Sequence, residues 1–192
     1  WICAITNTSI ADTLKNVKNY FNDPSLVSNS SFFLPYLSGE RTPHNDPHIR
    51  GSFHAIKTTT DATNMQYAVI EGVSFGILDG VNSILKVNDN FEKIFMVGGG
   101  SRSSFWIELL ASLLNRNLSV CDQSEYGAAL GVARLAMYSD KSIQNNNIIK
   151  EITTSKDYFP TSNKSDILMK RYQIWKDLYS ANKKIASNLI SK

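Results

Sequence analysis

Three consecutive glycines, Gly98, Gly99 and Gly100, stand between the hydrophobic run 93–97 and a helix-forming stretch that opens with Ser101, Arg102, Ser103 and Ser104. Residues without a Cβ let a ligand reach backbone N–H groups, and a helix start offers unsatisfied donors and partial positive charge that favour phosphate. The serine hydroxyls add further donors and acceptors. The pattern is neither GxGxxG nor GxxxxGK[ST], so by itself it fits a tight strand-to-helix turn as well as a phosphate cradle. A second small-residue segment, EYGAALGVA at 125–133, follows about 30 residues later. Read alone, its small side chains suit close helix packing more than ligand contact. Only one strand separates the two segments, so both helix starts can open on the same sheet edge, with an adenosine between them.

Other chemically capable residues invite plainer readings. His44, Asp46 and His48 share a proline-rich loop, but no fourth ligand is apparent and the prolines restrict convergence, so no metal site is assigned. Glu71, Asp79 and Asp89 are read as solvated or capping carboxylates without a catalytic role. Glu40 and Arg41 are read as a structural ion pair or a hinge, with a cleft-facing role as the alternative. Trp106, Tyr172, Trp175 and Tyr179 have the spacing of core residues. Cys3 and Cys121 show neither disulfide nor zinc spacing, and a reducing cytoplasm is the expected location. The net charge is only +3, and the basic excess at Lys170, Arg171, Lys176, Lys183, Lys184 and Lys192 is expected to be a solvated helix face. A nucleic-acid partner is therefore not expected.

These groups must be positioned by a folded core, and 192 residues with 42% hydrophobic composition suffice for one domain spanning the chain. Residues 1–22 predict a helix with Ala11, Leu14, Val17 and Phe21 on one face, ended by Asn22, Asp23 and Pro24. An extended run follows at 32–37, then a loop at 38–50 broken by Pro43 and Pro47, then a strand at 51–56. Asp61 or Thr63 can cap a long helix reaching about Lys86. Gly72, Gly76 and Gly80 recur along it, so a backbone should approach that face, while Val69, Val73, Ile77, Val81 and Ile84 should form its apolar stripe. Glu71 and Asp79 among the glycines argue against a membrane-dimer motif, and no uncharged apolar run reaches the ~18 residues of a span. Strands at 93–97 and 118–121 alternate with helices at 103–114 and 127–138, which implies a crossover and parallel pairing. Residues 140–163, with Asn145, Asn146 and Asn147, read as a polar connection, and Leu168, Tyr172, Trp175 and Tyr179 mark one face of a final helix. The chain starts at Trp1, which suggests a piece of something longer.

A more specific signal lies in residues 33–47, FLPYLSGERTPHNDP. This run resembles a loop of the FGGY carbohydrate kinases, in the branch acting on ketopentoses. Three further stretches agree in order and spacing: Arg50-Gly51-Ser52-Phe53 through to Glu71-Gly72-Val73, the turn from Gly98 to Ser103, and the segment from Gly127 to Arg134. The resemblance covers roughly residues 1–180. It implies an actin-like ATPase, ribonuclease H-like α/β fold, of which this chain would be the C-terminal, nucleotide-binding lobe, incomplete at its N-terminal edge. It further implies ATP with Mg²⁺, with Gly98, Gly99, Gly100, Ser101, Arg102, Ser104 and Gly127 holding the nucleotide.

The implied reaction is phosphorylation of a ketopentose, D-xylulose to xylulose 5-phosphate above all. Another sugar or polyol kinase acting on ribulose, gluconate or glycerol is the alternative, as is a non-catalytic nucleotide-binding or sensing module. The general-base aspartate and most sugar contacts would belong to the other lobe, so this chain alone should be inactive, and a homodimer is conceivable. One departure is Ala55, where the family usually has glycine; a packing adjustment is the expected consequence.

Overall fold

The computed structural model describes residues 1–87, 93–122, 124–140 and 152–190. Two short helices, α1 (Ile2–Ile5) and α2 (Ile10–Phe21), replace the single helix expected over 1–22. The break falls where Ser9 caps α2, its Oγ accepting from the Asp12 N–H at 3.0 Å and donating to the Asp12 carboxylate at 2.7 Å. A side chain that satisfies the first N–H groups of one helix cannot lie inside another. Asp23 caps α3 (Pro24–Asn29) in the same way.

The long helix α4 (Ala62–Leu85), capped by Asp61, organises the rest. Against it lie strand β1 (Phe32–Leu34), paired antiparallel with β2 (Ser52–His54), and the last helix, α7 (Ser162–Ile190). Helix α5 (Ser104–Leu114) completes this first core, in which Tyr67, Phe75, Leu34, Leu109, Leu168 and Trp175 are buried. On its other side α5 lays Ile107, Leu110 and Ala111 on a three-stranded sheet of β3 (Ile94–Met96), β4 (Leu118–Cys121) and β5 (Thr154–Tyr158). The strand order is β3-β4-β5, with β3 parallel to β4 and β5 antiparallel to it. Helix α6 (Gly127–Ser139) follows β4 and has no buried residue among those described.

The β3–α5–β4 crossover and parallel pairing are present as the alternating pattern implied. Strand β5 was not foreseen. It lies within the stretch read as a polar connection and exposes all but Tyr158, so its ladder to β4 forms without an apolar alternation to announce it. Asn145, Asn146, Asn147, Asp89 and Lys192 lie outside the described residues.

The buried face of α4 also differs from the expected stripe. Tyr67, Ala68, Glu71, Gly72, Ser74, Phe75 and Leu78 face inward, while Val69, Val73 and Val81 are half-buried and Ile77 and Ile84 exposed. By length and composition alone α4 is apolar enough to cross a membrane, yet both of its carboxylates have partners on α7. Glu71, read as solvated, is 1% exposed, and so Arg171 leaves the solvated basic face and is buried with it. Arg171 donates from Nε to Glu71 Oε1 and from Nη2 to Oε2, both at 2.7 Å, and from Nη1 and Nη2 to the carbonyls of Ser30 and Ser31. Tyr67 donates to the same carboxylate at 3.0 Å. Burial pushes the Glu71 carboxyl up, opposed by Arg171 and by the Tyr67 hydrogen bond.

The glycine spacing has one strict use. A Cβ on Gly72 would stand 2.1 Å from the Phe33 carbonyl oxygen, that on Gly76 3.8 Å from Pro35, and that on Gly80 near nothing within 4 Å. Ala55 has φ +58°, so the departure at that position is one of backbone conformation, a left-handed residue that glycine would adopt more easily.

Gly72→Ala should therefore lower stability by about 2–3 kcal/mol through overpacking against backbone, while Gly80→Ala should raise it by about 0.5–1 kcal/mol through helix propensity. Urea unfolding of the two variants gives the comparison. Arg171→Met, which leaves Glu71 buried without its partner, should cost about 3–5 kcal/mol in the same assay.

Candidate functional site

Because β3 and β4 run parallel, the turns that leave them open at the same sheet edge, the position where open α/β sheets hold ligands. After β3 the chain turns at Gly98, whose φ of +87° with ψ −176° is a conformation essentially reserved to glycine. One turn of 3₁₀ helix, Gly99–Arg102, leads into α5. Ser103 caps α5 by accepting the Trp106 N–H at 3.2 Å, which makes Ser104 the first residue of the helix. After β4 a second 3₁₀ turn, Ser124–Tyr126, leads into α6 at Gly127.

The two turns are stitched together. The Gly98 N–H donates to the Ser124 carbonyl at 2.7 Å. Ser101, buried at 7% exposure, donates to the Gly98 carbonyl at 2.7 Å and shares a 2.7 Å hydroxyl contact with Ser124. The expectation that both glycine-bearing helix starts come together is thus met by the geometry.

Around this junction lies a cleft in two parts. The larger, about 510 Å³, is lined by Val97, Cys121, Asp122, Ser124, Gly127, Leu130, Gly131, Arg134, Ile152 and Thr153. The smaller, about 210 Å³, is lined by Ser101, Arg102, Val120, Cys121, Asp122, Ser124 and Ser155. Cys121, Asp122 and Ser124, at the end of β4, border both. Burial and the neighbouring Asp122 carboxylate push the Cys121 thiol up.

Of the residues expected to hold a nucleotide, Gly127 lines the larger part and Ser101 and Arg102 the smaller. Among the described residues, chain neighbours aside, Gly98 and Gly99 have nothing within 4 Å of where a Cβ would stand, so these faces are open there. Gly100 differs: a Cβ there would be 2.9 Å from the Trp106 ring, so its bareness already serves the packing of this chain. Trp106 is itself tied to α4 by its indole N–H, which donates to Ser74 at 2.9 Å. The residues missed include Ser124 and Asp122 just after β4, and Ile152, Thr153 and Ser155 before and in β5. The Asp122 N–H donates to the Thr153 carbonyl at 2.9 Å, which carries β5 to the cleft wall. A polar residue at the carboxyl end of a strand could have signalled Asp122, whereas Ile152, Thr153 and Ser155 depend on the unforeseen β5.

The proline-rich loop is occupied with itself and with α7. Glu40, rather than pairing with Arg41, accepts the N–H groups of Thr42 and His44. Asp46 accepts those of His48 and Ile49, and the His44 ring stacks on Tyr179 at 3.6 Å. Among the described residues no three His, Cys, Asp or Glu side chains gather as a metal site.

Comparison with known proteins places this arrangement. Residues 1–139 match the model for the C-terminal domain of the FGGY family of carbohydrate kinases. A xylulose kinase from Staphylococcus epidermidis is 28% identical over 183 residues, 94% of this chain and 36% of the relative. The crystal structure of a xylulose kinase from Brucella ovis superposes with a TM-score of 0.80 at 31% identity, over 96% of this chain and 37% of that one. A gluconate kinase from Lactobacillus acidophilus gives 0.72 at 27% identity, over 90% and 34%. The chain thus spans about a third of the length of these relatives. Its class is the mixed α/β, actin-like ATPase fold that these kinases share. More narrowly, it belongs to the FGGY family of carbohydrate kinases and corresponds to the C-terminal domain.

The stitch between the turns should be measurable apart from any ligand. Ser101→Ala removes a buried hydroxyl with two partners and should lower stability by about 1–2 kcal/mol. Thermal unfolding of the variant beside the parent chain checks this.

Proposed function

We propose that this chain forms the nucleotide-binding part of an ATP-dependent kinase that phosphorylates a ketopentose, D-xylulose to xylulose 5-phosphate. The observation that carries the reading is the pair of stitched helix starts at one edge of β3 and β4, with Gly98 and Gly99 bare towards open space and a cleft of about 510 Å³ beside them. Phosphate is favoured where backbone N–H groups and a helix start converge, and the cleft between Gly127 and Thr153 offers room for a nucleoside. The xylulose kinases among the relatives support the ketopentose; the gluconate kinase at 27% identity keeps a sugar acid as the second reading.

Phosphoryl transfer is chiefly positioning and charge stabilisation. In this reading the phosphates lie against the bare Cα faces of Gly98 and Gly99, Gly98 having its own N–H committed to Ser124; Ser101 holds the turn in shape, Arg102 stands at the wall of the smaller part, and Ser104 contributes only as the first residue of α5. Magnesium carried on nucleotide phosphates needs only one or two protein carboxylates with water, and Asp122 is the carboxylate that borders both parts of the cleft. Its chemistry would be to neutralise phosphate charge. The two free cysteines agree with a reducing cytoplasm.

The test is ADP release by the complete kinase on D-xylulose, ribulose, glycerol and gluconate, with the 192-residue chain alone as control. Turnover should favour D-xylulose and be absent from the isolated chain. Gly99→Val, placed where no atom lies within 4 Å, should raise the KM for ATP by about tenfold and leave that for sugar unchanged, the signature of lost nucleotide binding. An unaltered ATP KM would remove the glycine turn from the site.

A further inference from the structure

Loop 38–50 is anchored at its C-terminal end, where Ile49 is buried in the main core and the Arg50 carbonyl accepts from Asn182 of α7 at 2.9 Å, while its tip around His44 meets the body of the protein through side chains. Inside it, Glu40 and Asp46 exchange backbone hydrogen bonds at 2.9 and 2.8 Å, and the Glu40 carboxylate accepts the N–H groups of Thr42 and His44. Outward from it, the Tyr179 hydroxyl of α7 donates to Asp46 Oδ2 at 3.1 Å. The His44 ring lies parallel to the Tyr179 ring, 7° between planes. Its Nε2 is 3.8 Å from Asp79 Oδ2 on α4, beyond hydrogen-bonding distance, and is buried with no hydrogen-bond partner among the described residues. Asp79 meanwhile accepts a hydrogen bond from Tyr172 of α7. Beside the same ring the Tyr36 hydroxyl is also buried without a partner, its ring centroid 6.0 Å from that of His44.

We propose that His44 is a protonation-dependent latch that clamps loop 38–50 to α4 and α7. A neutral imidazole here leaves a buried nitrogen unsatisfied across a gap too long for a hydrogen bond. A protonated one is drawn to the Asp79 carboxylate, donates to it after a shift of under an ångström, and lays its charge on the face of Tyr179. The charged groups nearest the ring come from three segments. Asp79 faces it from α4, with Glu40 and Asp46 on the loop, while Lys183 of α7 opposes from the Tyr179 hydroxyl, 3.4 Å away. Tyr36, Tyr172 and Tyr179 are all held above the ordinary phenol range, chiefly by desolvation, and remain neutral. Although desolvation works against it, Asp46 is held below the ordinary carboxylate range by its hydrogen bonds from His48, Tyr179 and Ile49, and remains charged. Histidine is the side chain that ordinarily changes charge between pH 5 and 8. A latch of this kind tightens on protonation of the ring and loosens on its deprotonation, and the two pH values of the test bracket the change.

The inference is independent of the nucleotide reading and is tested without activity. A double-mutant cycle joins His44→Gln and Asp79→Asn, the latter keeping an acceptor for Tyr172, by chemical denaturation of the full chain at pH 5.5 and pH 8. The expected coupling is about fivefold in the folding equilibrium constant at pH 5.5 and none at pH 8. His44→Phe, which retains the stack on Tyr179, should remove the pH dependence of loop amide exchange, corrected for intrinsic rates, whereas the parent loop should exchange faster at pH 8. Equal coupling at both pH values, or loop protection in His44→Phe that varies with pH as in the parent, overturns the latch. If a cycle variant does not fold, the exchange comparison alone decides between these outcomes.

Discussion

The ion pair between Glu71 and Arg171 is the constraint on which the rest of the packing depends. Two charges lie in the core, and each is tolerated only because the other meets it in a two-pronged arrangement with both contacts at 2.7 Å. Their remaining valences are used as well: Tyr67 completes the carboxylate, and the carbonyls of Ser30 and Ser31 complete the guanidinium. The Phe32 ring lies 4.1 Å from the guanidinium carbon. Helix α4, the segment entering β1 and helix α7 must therefore occupy one mutual position, since shifting any of them strands a buried charge. A wholly apolar interface of similar area could slide; this one cannot without losing hydrogen bonds.

From that fixed point the geometry passes outward by close contacts. The Phe33 carbonyl lies against Gly72 and accepts the Trp175 indole N–H at 2.8 Å, so one peptide of β1 touches both helices. Trp106 connects α4 to α5, and α5 in turn covers the β3-β4-β5 sheet. The glycine turn is thus held at the end of a chain of rigid contacts that starts in a charged core. The ends of the parallel strands bring the second turn beside it, and Ser101 with Ser124 sets their separation. The faces of Gly98 and Gly99 are open among the described residues, in contrast to Gly100, which Trp106 covers.

Much of this was legible in the residues. Alternating apolar runs and helix signals place β3, α5, β4 and α6 within a residue or two, Asp61 marks the start of α4, and the glycine turn and Gly127 stand out by composition alone. What failed has specific causes. The α4 stripe was assigned by hydrophobicity, but the helix buries Glu71 and Ser74 because each finds a partner, and leaves Ile77 and Ile84 outward. A carboxylate one turn from apolar residues looks solvated unless the arginine 100 positions later is known to meet it. Strand β5 has four exposed residues of five and is held by its ladder to β4, so it carries no apolar signature.

The sequence by itself determined much of the local order from α4 to α6, which turn must be glycine, and, through four collinear stretches, the kinase family, though not the break at Ser9 or helix α3. Those features depend on residues near one another in the chain, where capping, backbone freedom and periodicity act. Tertiary structure alone decided which polar groups could be buried, which glycine admits a backbone and which a ring, and that Asp122 and Thr153 share a cleft with Gly127. Each of these turns on a partner from a distant segment, and a charge or a missing Cβ has no fixed energetic meaning until that partner is in place.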